Sequence, residues 1–299
     1  MAKPISDGIL LVDKPKGLTS FDCVAQTRRL FQTKSVGHTG TLDPFATGLL
    51  VLLLGRYTRL SPYLTSQDKT YEAEVCLGIG TDTDDCEGQV IAQADASHLT
   101  SEAIDAALQS FLGAQMQIPP QYSAISINGE RAYKKARRGE EVAYEPRPVM
   151  VYDLTLNPSP ESGEGLESAF SPSPLSGEGL GVRSLNIRLR VSKGTYIRAI
   201  ARDLGAKLGV PAHLTNLRRT QSGSYDVSEV NGDLLTGLSA IRGIPLLEID
   251  TASAEALKQG KRPMLAGLAD QSPLLAHVQN EPVAIAKIEE GHLVTIRGF

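Results

Sequence analysis

The segment GHTGTLDP, residues 37–44, places a single carboxylate, Asp43, in a turn rich in glycine and threonine. The glycines allow a tight irregular loop, and Pro44 restricts the backbone directly after the carboxylate. A loop of this kind can hold a side chain in a fixed direction, so Asp43 could act as a nucleophile or as a base. Asp before Pro is also a common turn former, so a purely structural turn is the alternative.

A second segment, KGTYIR at residues 193–198, combines an aromatic residue with a cation. Tyr196 and Arg198 stand at the predicted start of a helix, near its positive end. A ring and a guanidinium side by side suit base stacking and anion pairing. The alternative is that Arg198 forms a structural ion pair.

The acid-rich segment TDTDDCEG, residues 81–88, invites comparison with a calcium-binding loop. Glu87 stands where that loop requires glycine, and no glutamate closes the loop, so we expect a solvated turn after a strand. The histidines at positions 38, 98, 213 and 292 have no ligand spacing, and the three cysteines form no C-x-x-C pair. The sequence therefore predicts no metal site, and the sparse cysteines indicate a reducing cytoplasm.

Charge is unevenly distributed along the chain, whose formal net charge is −4. Residues 71–130 include ten acidic residues and no Lys or Arg, whereas residues 183–219 include nine basic residues and one acidic residue, Asp203. The segment RAYKKARRG, residues 131–139, adds a second basic block. Two such blocks indicate a positive face for a phosphate backbone, unless they are solvated faces of ordinary helices.

Hydrophobic patterns predict an α+β chain, because strands and helices mix without a regular βαβ repeat. The run LLVLLLG indicates a buried strand that ends at Gly55. The segment TSFDCVAQTRRLF predicts a helix that Ser20 caps, with Phe21, Val24 and Ala25 on one face.

Other elements carry clear boundaries. TSEAIDAALQSFLG predicts a helix that stops at Gly113, and GTYIRAIARDLGAKLGV predicts one closed by Gly209 and Pro211. Alternation and flanking turn residues predict further strands in GILLVDKP, TYEAEVCLGIG, VMVYDLTL, LNIRLRVS and HLTNLRRTQSGSY.

Residues 157–181 differ in composition from the rest of the chain. PSPESGEGL (158–166) recurs as PSPLSGEGL (172–180), so we predict a disordered low-complexity insertion at a hairpin tip. A binding peptide is the alternative. From about Leu247 the composition changes again, which predicts a large domain over residues 1–243 and a small one over residues 244–299. The longest apolar run, residues 49–54, is far shorter than the roughly 17–25 residues of a membrane helix, and we expect neither a signal peptide nor membrane association.

Several of these segments occur together in one order: GHTGTLDPFATGLLVLLLG, DKTYEAEVCLGIGTDTDD, PPQYSAI, RPVMVYDL, SKGTYIRAIARDLG and AHLTNLRRTQSG. As a set they resemble the tRNA pseudouridine-55 synthases of the TruB family. The resemblance runs over about residues 8–226 and is interrupted only by the insertion. It continues more weakly into a C-terminal segment that resembles the family's small PUA-like RNA-binding domain.

The resemblance implies three catalytic residues. Asp43 matches the family's catalytic aspartate, and Arg198 matches the arginine that pairs with it. Tyr71 matches the tyrosine that stacks on the target base and takes part in its proton transfer. Whether the aspartate attacks C6 of the uracil or C1′ of the ribose stays open.

The resemblance also implies four residues that bind the substrate. His38 matches a histidine that helps to hold the flipped RNA, and Tyr196 matches the tyrosine beside the catalytic arginine. Leu217 matches a leucine of the pocket. Lys14 matches a lysine near the pocket.

The implied fold is a mixed or antiparallel pseudouridine-synthase sheet with flanking helices and a small PUA-like domain. The implied activity is the isomerisation of uridine 55 in the TψC loop of tRNA, with the T-arm as partner. This reaction oxidises nothing and adds no group, so we expect no cofactor. Nothing in the sequence indicates a dimer interface, so we expect a monomer. An RNA-binding or tRNA-folding protein with secondary catalysis is the alternative. A sister synthase of a guide-RNA particle is disfavoured, because the chain has no long basic extensions.

Overall fold

The computed structural model describes residues 7–123, 126–127, 130–131, 138, 144–156, 170–172, 181–265 and 267–299. The chain divides into two compact units. The first unit comprises Met1–Pro44, Gly48–Gln67 and Gln221–Phe299, and the second comprises Phe45–Thr47 and Asp68–Thr220.

Strands and helices alternate irregularly along the chain. The strands are β1 Gly8–Lys14, β2 Val36–His38, β3 Thr47–Leu54, β4 Lys69–Leu77, β5 Ile79–Thr81, β6 Val90–Gln93, β7 Gly113–Gln117, β8 Ser126–Ile127, β9 Glu130–Arg131, β10 Arg147–Leu156, β11 Phe170–Pro172, β12 Arg183–Val191, β13 Ala212–Ser222, β14 Tyr225–Asp226, β15 Leu234–Leu235, β16 Leu246–Glu248, β17 Gln271–Val278, β18 Glu281–Glu289 and β19 His292–Gly298. The α-helices are α1 Ser20–Leu30, α2 Ser61–Thr65, α3 Ser101–Gln109, α4 Ile197–Leu208 and α5 Thr251–Lys258. Strands and helices are therefore mixed, as the predicted α+β class requires.

The first unit contains two groups of paired strands. β1 lies between β15 and β3, and β2 also pairs with β3, all antiparallel. The second group has the order β16–β17–β18–β19, in which only β16 and β17 are parallel. Helix α5 contributes Ala254 and Leu257 to a core with Leu274 and Leu293 of this second group. The predicted C-terminal segment of one helix and a few strands is thus present, whereas its boundary at residue 244 stays a prediction.

Strand β3 is apolar on both faces because both faces are covered. Every residue from 49 to 54 has 0% of its surface exposed. Its odd-numbered side chains pack with Ile9 and Leu11 of β1, and its even-numbered ones pack with Cys23 and Val24 of α1. The sequence-based prediction of a fully buried strand that ends before Gly55 is confirmed.

The second unit is built on an antiparallel arrangement. Its strands have the order β13–β4–β12–β10–β7, and β11 also pairs with β12. Helices α3 and α4 pack against one another in this unit. Helix α3 buries Ile104 and Leu108 as its spacing predicts, and Thr100 caps it by accepting a hydrogen bond from the Ala103 amide at 3.2 Å.

Helix α4 has the boundaries that its sequence predicts. Tyr196 is its N-cap residue, and Gly209 ends it in the left-handed conformation at φ 73°. A residue with a Cβ adopts that conformation at a cost, so glycine suits this position.

Helix α1 differs from the prediction in its cap and its buried face. The N-cap is Thr19, whose side chain accepts from the Asp22 amide, and not Ser20. The helix buries Cys23, Val24 and Thr27, whereas Phe21 is 65% exposed. The phenyl ring lies under the Arg28 guanidinium, 5.8 Å from its centroid, so a cation covers it in place of the core.

Two predictions concern segments that are largely outside the described residues. The low-complexity insertion at 157–181 is described only at 170–172 and 181. Of the basic block at 131–139, the side chain is described only for Arg138. No helix in the described part of the chain has the length and apolar character of a membrane span.

Candidate active site

The Asp43 loop connects β2 with β3, and its residues up to Pro44 belong to the first unit. The two strands pair from Val36↔Leu54 to His38↔Leu52, and the Thr39 amide adds a bond to the Val51 carbonyl at 3.1 Å. The loop that follows therefore starts from a strand that pairs with β3, which is buried from Gly48 to Leu54.

Leu42, the residue before Asp43, forms hydrogen bonds through both its amide and its carbonyl group. The Leu42 amide donates to the Ser20 hydroxyl at 2.8 Å, and that hydroxyl donates to the Leu42 carbonyl at 3.1 Å. Both residues are buried, Ser20 with 2% of its surface exposed. Ser20 is the first residue of α1, so this helix fastens the loop on its N-terminal side.

The residue after Asp43 is held as well. The Pro44 carbonyl accepts from the Gly17 amide at 2.8 Å and from the Lys14 ammonium at 3.2 Å. The same ammonium donates to the Leu18 carbonyl at 2.7 Å, and Lys14 is fully buried. These contacts favour a positioning role for Lys14, and its proposed contact with substrate stays a prediction. Asp43, which is half-buried, thus lies between two clamped neighbours.

His38 lies at the end of β2, at the entrance of the same loop. Its Nδ1 accepts a hydrogen bond from the Gly40 amide at 3.3 Å, and its carbonyl accepts from the Ser61 hydroxyl at 3.4 Å. The ring is half-buried. The first unit therefore brings three of the predicted site residues, Lys14, His38 and Asp43, to one loop and its support.

Tyr71 and Leu217 lie on strands of the second unit that neighbour each other, β4 and β13. Tyr71 is 9% exposed and Leu217 is 5% exposed. Residues two apart share a face of a strand, so Lys69 shares the face of Tyr71, and Arg219 shares the face of Leu217. Burial, and next the charge of Arg219, lower the pKa of Lys69 to about 8. Two buried cations therefore accompany the two predicted pocket residues.

Tyr196 is fixed through its backbone. Its amide donates to Gln117 Oε1 at 2.8 Å, and its carbonyl accepts from Gln117 Nε2 at 3.0 Å. Gln117 is buried at the end of β7. This paired amide contact sets the entry of α4, and local sequence gave no indication of it, because β7 and α4 are far apart in the chain.

Arg198 is buried in the first turn of α4 and is held in several directions. Its guanidinium donates to the Thr83 carbonyl and to the Tyr122 carbonyl, each at 2.9 Å. It also forms an ion pair with Asp85 at 3.2 Å, and both side chains are almost fully buried, at 5% and 6% exposed. Asp43 lies in the first unit and Arg198 in the second, and their pairing stays a prediction.

The expectation of a solvated turn at residues 81–88 is wrong for two of its acids. Asp84 forms an ion pair with Arg202 at 3.2 Å, and Asp85 accepts from the Thr83 hydroxyl at 2.7 Å in addition to binding Arg198. Burial raises the pKa of Asp84 to about 6, although Arg202 opposes the shift. The turn is a buried support for α4 because two helix arginines draw its carboxylates inward.

The buried support residues were missed by sequence reasoning for one common reason. Ser20, Gln117 and Asp85 are polar residues whose partners lie far away in the chain. The one sequence feature that indicates distant partners is the acid-rich TDTDD, because residues 71–130 contain no Lys or Arg to pair with it. Among the described residues, no group of three or more His, Cys, Asp or Glu side chains has the arrangement of a metal site.

Comparison with known families gives a direct assignment. Residues 28–197 match the model described as TruB family pseudouridylate synthase (N terminal domain), and residues 198–240 match the tRNA pseudouridylate synthase B C-terminal domain. The chain belongs to the TruB family. The residues of the Asp43 loop, Tyr71 and Tyr196 lie within the first match, and Arg198 and Leu217 lie within the second.

Curated relatives support this TruB assignment over most of the chain. A protein of Opitutus terrae named tRNA pseudouridine synthase B is 44% identical over 244 residues, which is 82% of this chain and 90% of that protein. A protein of the same name from Thermobifida fusca is 45% identical over 75% of this chain and 72% of that protein. Another from Bacillus cytotoxicus is 37% identical over 85% of this chain and 83% of that protein.

Solved structures support the fold. A chain from the structure of an H/ACA RNP bound to a substrate RNA matches with a TM-score of 0.66 at 21% identity, over 98% of this chain and 84% of that one. A chain from a Cbf5-Nop10-Gar1 complex matches with a TM-score of 0.66 at 22% identity, over 99% and 85%. The predicted pseudouridine-synthase architecture is confirmed, and at this identity the similarity concerns the fold alone.

Proposed function

We propose that this protein isomerises uridine to pseudouridine at position 55 in the TψC loop of tRNA, with Asp43 as nucleophile or base. The reaction breaks the bond between C1′ and N1, joins C1′ to C5, and exchanges the C5 proton for one on N1. Nothing is oxidised and no group is added, so the chemistry requires no cofactor. It requires an ionised carboxylate in a fixed position.

The observation that carries the proposal is the double clamp on the Asp43 loop. Ser20 holds Leu42 on one side, and Lys14 and Gly17 hold Pro44 on the other. A carboxylate between two fixed peptide groups has little freedom to move away from a reacting atom. Such preorganisation contributes to catalysis by proximity and orientation.

Arg198 is the proposed electrostatic partner of Asp43. Its guanidinium donates to two carbonyls and pairs with Asp85, and these contacts hold the cation in one orientation. A guanidinium near a carboxylate lowers its pKa and keeps it ionised when water is excluded. We propose that Asp85 holds Arg198 in the orientation that this pairing requires.

Tyr71 and Leu217 are the proposed walls for the target base. Both are largely buried on neighbouring strands, and a phenol ring and a leucine side chain are suited to contact the faces of an extruded pyrimidine. Extruding a base costs a few kcal/mol, and least in an exposed loop. The T-loop meets this condition, and single-stranded bases and loop shape are the usual basis of specific RNA recognition.

Chemical mapping of pseudouridine in tRNA tests this function in cells. In a strain that lacks the gene, position 55 should read as uridine, and expression of the wild type should restore pseudouridine. Full modification of position 55 in the deleted strain would contradict the proposal. We also propose that the protein acts as a monomer in the cytoplasm, for which sedimentation and fractionation of the native protein are the tests.

The alternative function, tRNA folding with secondary catalysis, predicts a different result. Expression of Asp43→Asn should then restore correctly folded tRNA without restoring pseudouridine. Native gels and reactivity of the T-loop towards structure-sensitive reagents would measure that folding separately from modification.

A further inference from the structure

Helix α1 carries an exposed aromatic ring outside the loop that it supports. Phe21 is 65% exposed, and the Arg28 guanidinium lies 5.8 Å from the centroid of its ring. The two residues are seven apart, so they lie on one side of the helix. An exposed ring paired with a cation is typical of surfaces that stack on bases.

The surroundings of this ring are basic. Residues 16–34 contain the basic residues Lys16, Arg28, Arg29 and Lys34 and a single acid, Asp22. The Asp22 carboxylate is bound at the start of the helix, where it accepts from the Thr19 amide at 2.8 Å and the Thr19 hydroxyl at 2.6 Å. We call the set of Phe21, Arg28, Arg29 and Lys34 the α1 face; Arg28 is half-buried, the other three are exposed, and Lys34 follows the end of the helix at Leu30. Its charge is complementary to a phosphate backbone.

The α1 face is also tied to the Asp43 loop within the first unit. Phe21 directly follows Ser20, whose hydroxyl exchanges two hydrogen bonds with Leu42. Leu42 in turn directly precedes Asp43. The start of α1 therefore lies next to the Asp43 loop.

We propose that the α1 face binds the tRNA strand next to the target loop, with one unpaired base stacked on Phe21 and the backbone phosphates contacted by Arg29 and Lys34. This proposal rests on the proposed function, since it takes tRNA as the substrate. It adds a binding surface outside the pocket of Tyr71, Leu217 and Arg198. The Arg28 guanidinium lies over the ring, and Phe21 at 65% exposed still offers ring surface to a base.

The test compares tRNA binding and turnover for four full-length variants. Phe21→Ala should raise the Kd for tRNA about tenfold, since stacking on an aromatic side chain contributes at this level. Phe21→Tyr should bind like the wild type, because it keeps the ring. Arg29→Ala should lower the slope of log Kd against log salt by about one, as expected for one lost phosphate contact. The control is Ile91→Ala, because Ile91 is 69% exposed in the acid-rich part of the chain.

The losses in Phe21→Ala and Arg29→Ala should appear in the Kd for tRNA, and Ile91→Ala should keep both the wild-type Kd and the wild-type kcat. Wild-type affinity of Phe21→Ala, an equal loss in Phe21→Tyr, or an equal loss in Ile91→Ala would each overturn the proposal. Absence of turnover in the wild type would contradict the proposed function instead, so the two failures are distinguishable.

Discussion

The Arg198 guanidinium lies 3.2 Å from the carboxylate of Asp85, and both side chains are buried. The pair joins the first turn of α4 to the turn that follows β5. Asp85 also accepts from the Glu87 amide at 3.0 Å, so its carboxylate orders the turn and the helix entry together. Arg198, which we propose to pair with Asp43, is thus already paired with Asp85 of the second unit.

Removal of the Asp85 carboxylate should destabilise the fold strongly. Asp85→Ala leaves the Arg198 charge buried without its partner, which costs about 3–5 kcal/mol in the free energy of unfolding. The matched control is Asp68→Ala, because the Asp68–Arg190 pair at 2.9 Å is much more exposed, at 32% and 56%. That loss should be about 0–1 kcal/mol. Urea unfolding of both variants is the measurement, and equal losses would contradict the structural role of Asp85.

The contribution of Asp84 to stability should fall as pH rises from about 4 to about 6. Its pKa rises from 3.8 to about 6 on folding, mainly through burial. In this window the folded protein keeps a proton that the unfolded chain releases, so the free energy of unfolding decreases as pH rises. Asp84→Asn removes this contribution, and its stability relative to the wild type should increase by up to about 3 kcal/mol across the window. Urea unfolding at pH 4, 5, 6 and 7 measures it, and a constant difference would be inconsistent with the raised pKa.

Loosening the Asp43 loop should reduce turnover. Ser20→Ala removes both hydrogen bonds to Leu42 and leaves a buried amide without that partner, at a cost of about 1–3 kcal/mol in stability. A small displacement of the carboxylate should lower kcat at least about tenfold. Ser66→Ala is the control, because the Ser66 hydroxyl bonds to the Tyr63 carbonyl at an exposed site. The role of the clamp is refuted if both variants keep wild-type kcat.

Arg198→Lys should impair chemistry more than binding. A lysine ammonium is a point charge and cannot reproduce the fork of donors that reaches Thr83, Tyr122 and Asp85. We expect kcat to fall by about a hundredfold, as for loss of a positioned electrostatic group, with a much smaller change in Kd for tRNA. Single-turnover kinetics and equilibrium binding separate the two effects. Equal losses would identify Arg198 as a phosphate contact.

Local sequence predicts those elements whose structure depends on interactions between residues close together in the chain. The run LLVLLL predicts β3 because it is short, apolar on both faces and followed by Gly55, and Gly209 predicts the end of α4 because of its left-handed backbone. The Asp43 loop was identified from its residue types and from the family motif. The contacts of Ser20 and Lys14 that fix it required the structure.

Burial by partners that are distant in the sequence accounts for the contacts that local sequence could not predict. Asp84 and Asp85 look like exposed turn residues, because acids next to glycine and threonine usually face water. Their partners Arg198 and Arg202 lie more than a hundred residues away, and only the fold brings them together. Phe21 is exposed for a related reason, because α1 packs Cys23 and Val24 against β3 and leaves Phe21 on its outer side.

The central claim, that Asp43 carries the chemistry, is tested most directly by release of tritium from C5 of uracil in a T-loop transcript. The wild type should release one tritium for each pseudouridine formed. Asp43→Asn keeps the size of the side chain and removes the carboxylate, and it should release none above background while still binding the transcript. Full tritium release by Asp43→Asn would contradict the assignment of Asp43 as the catalytic residue.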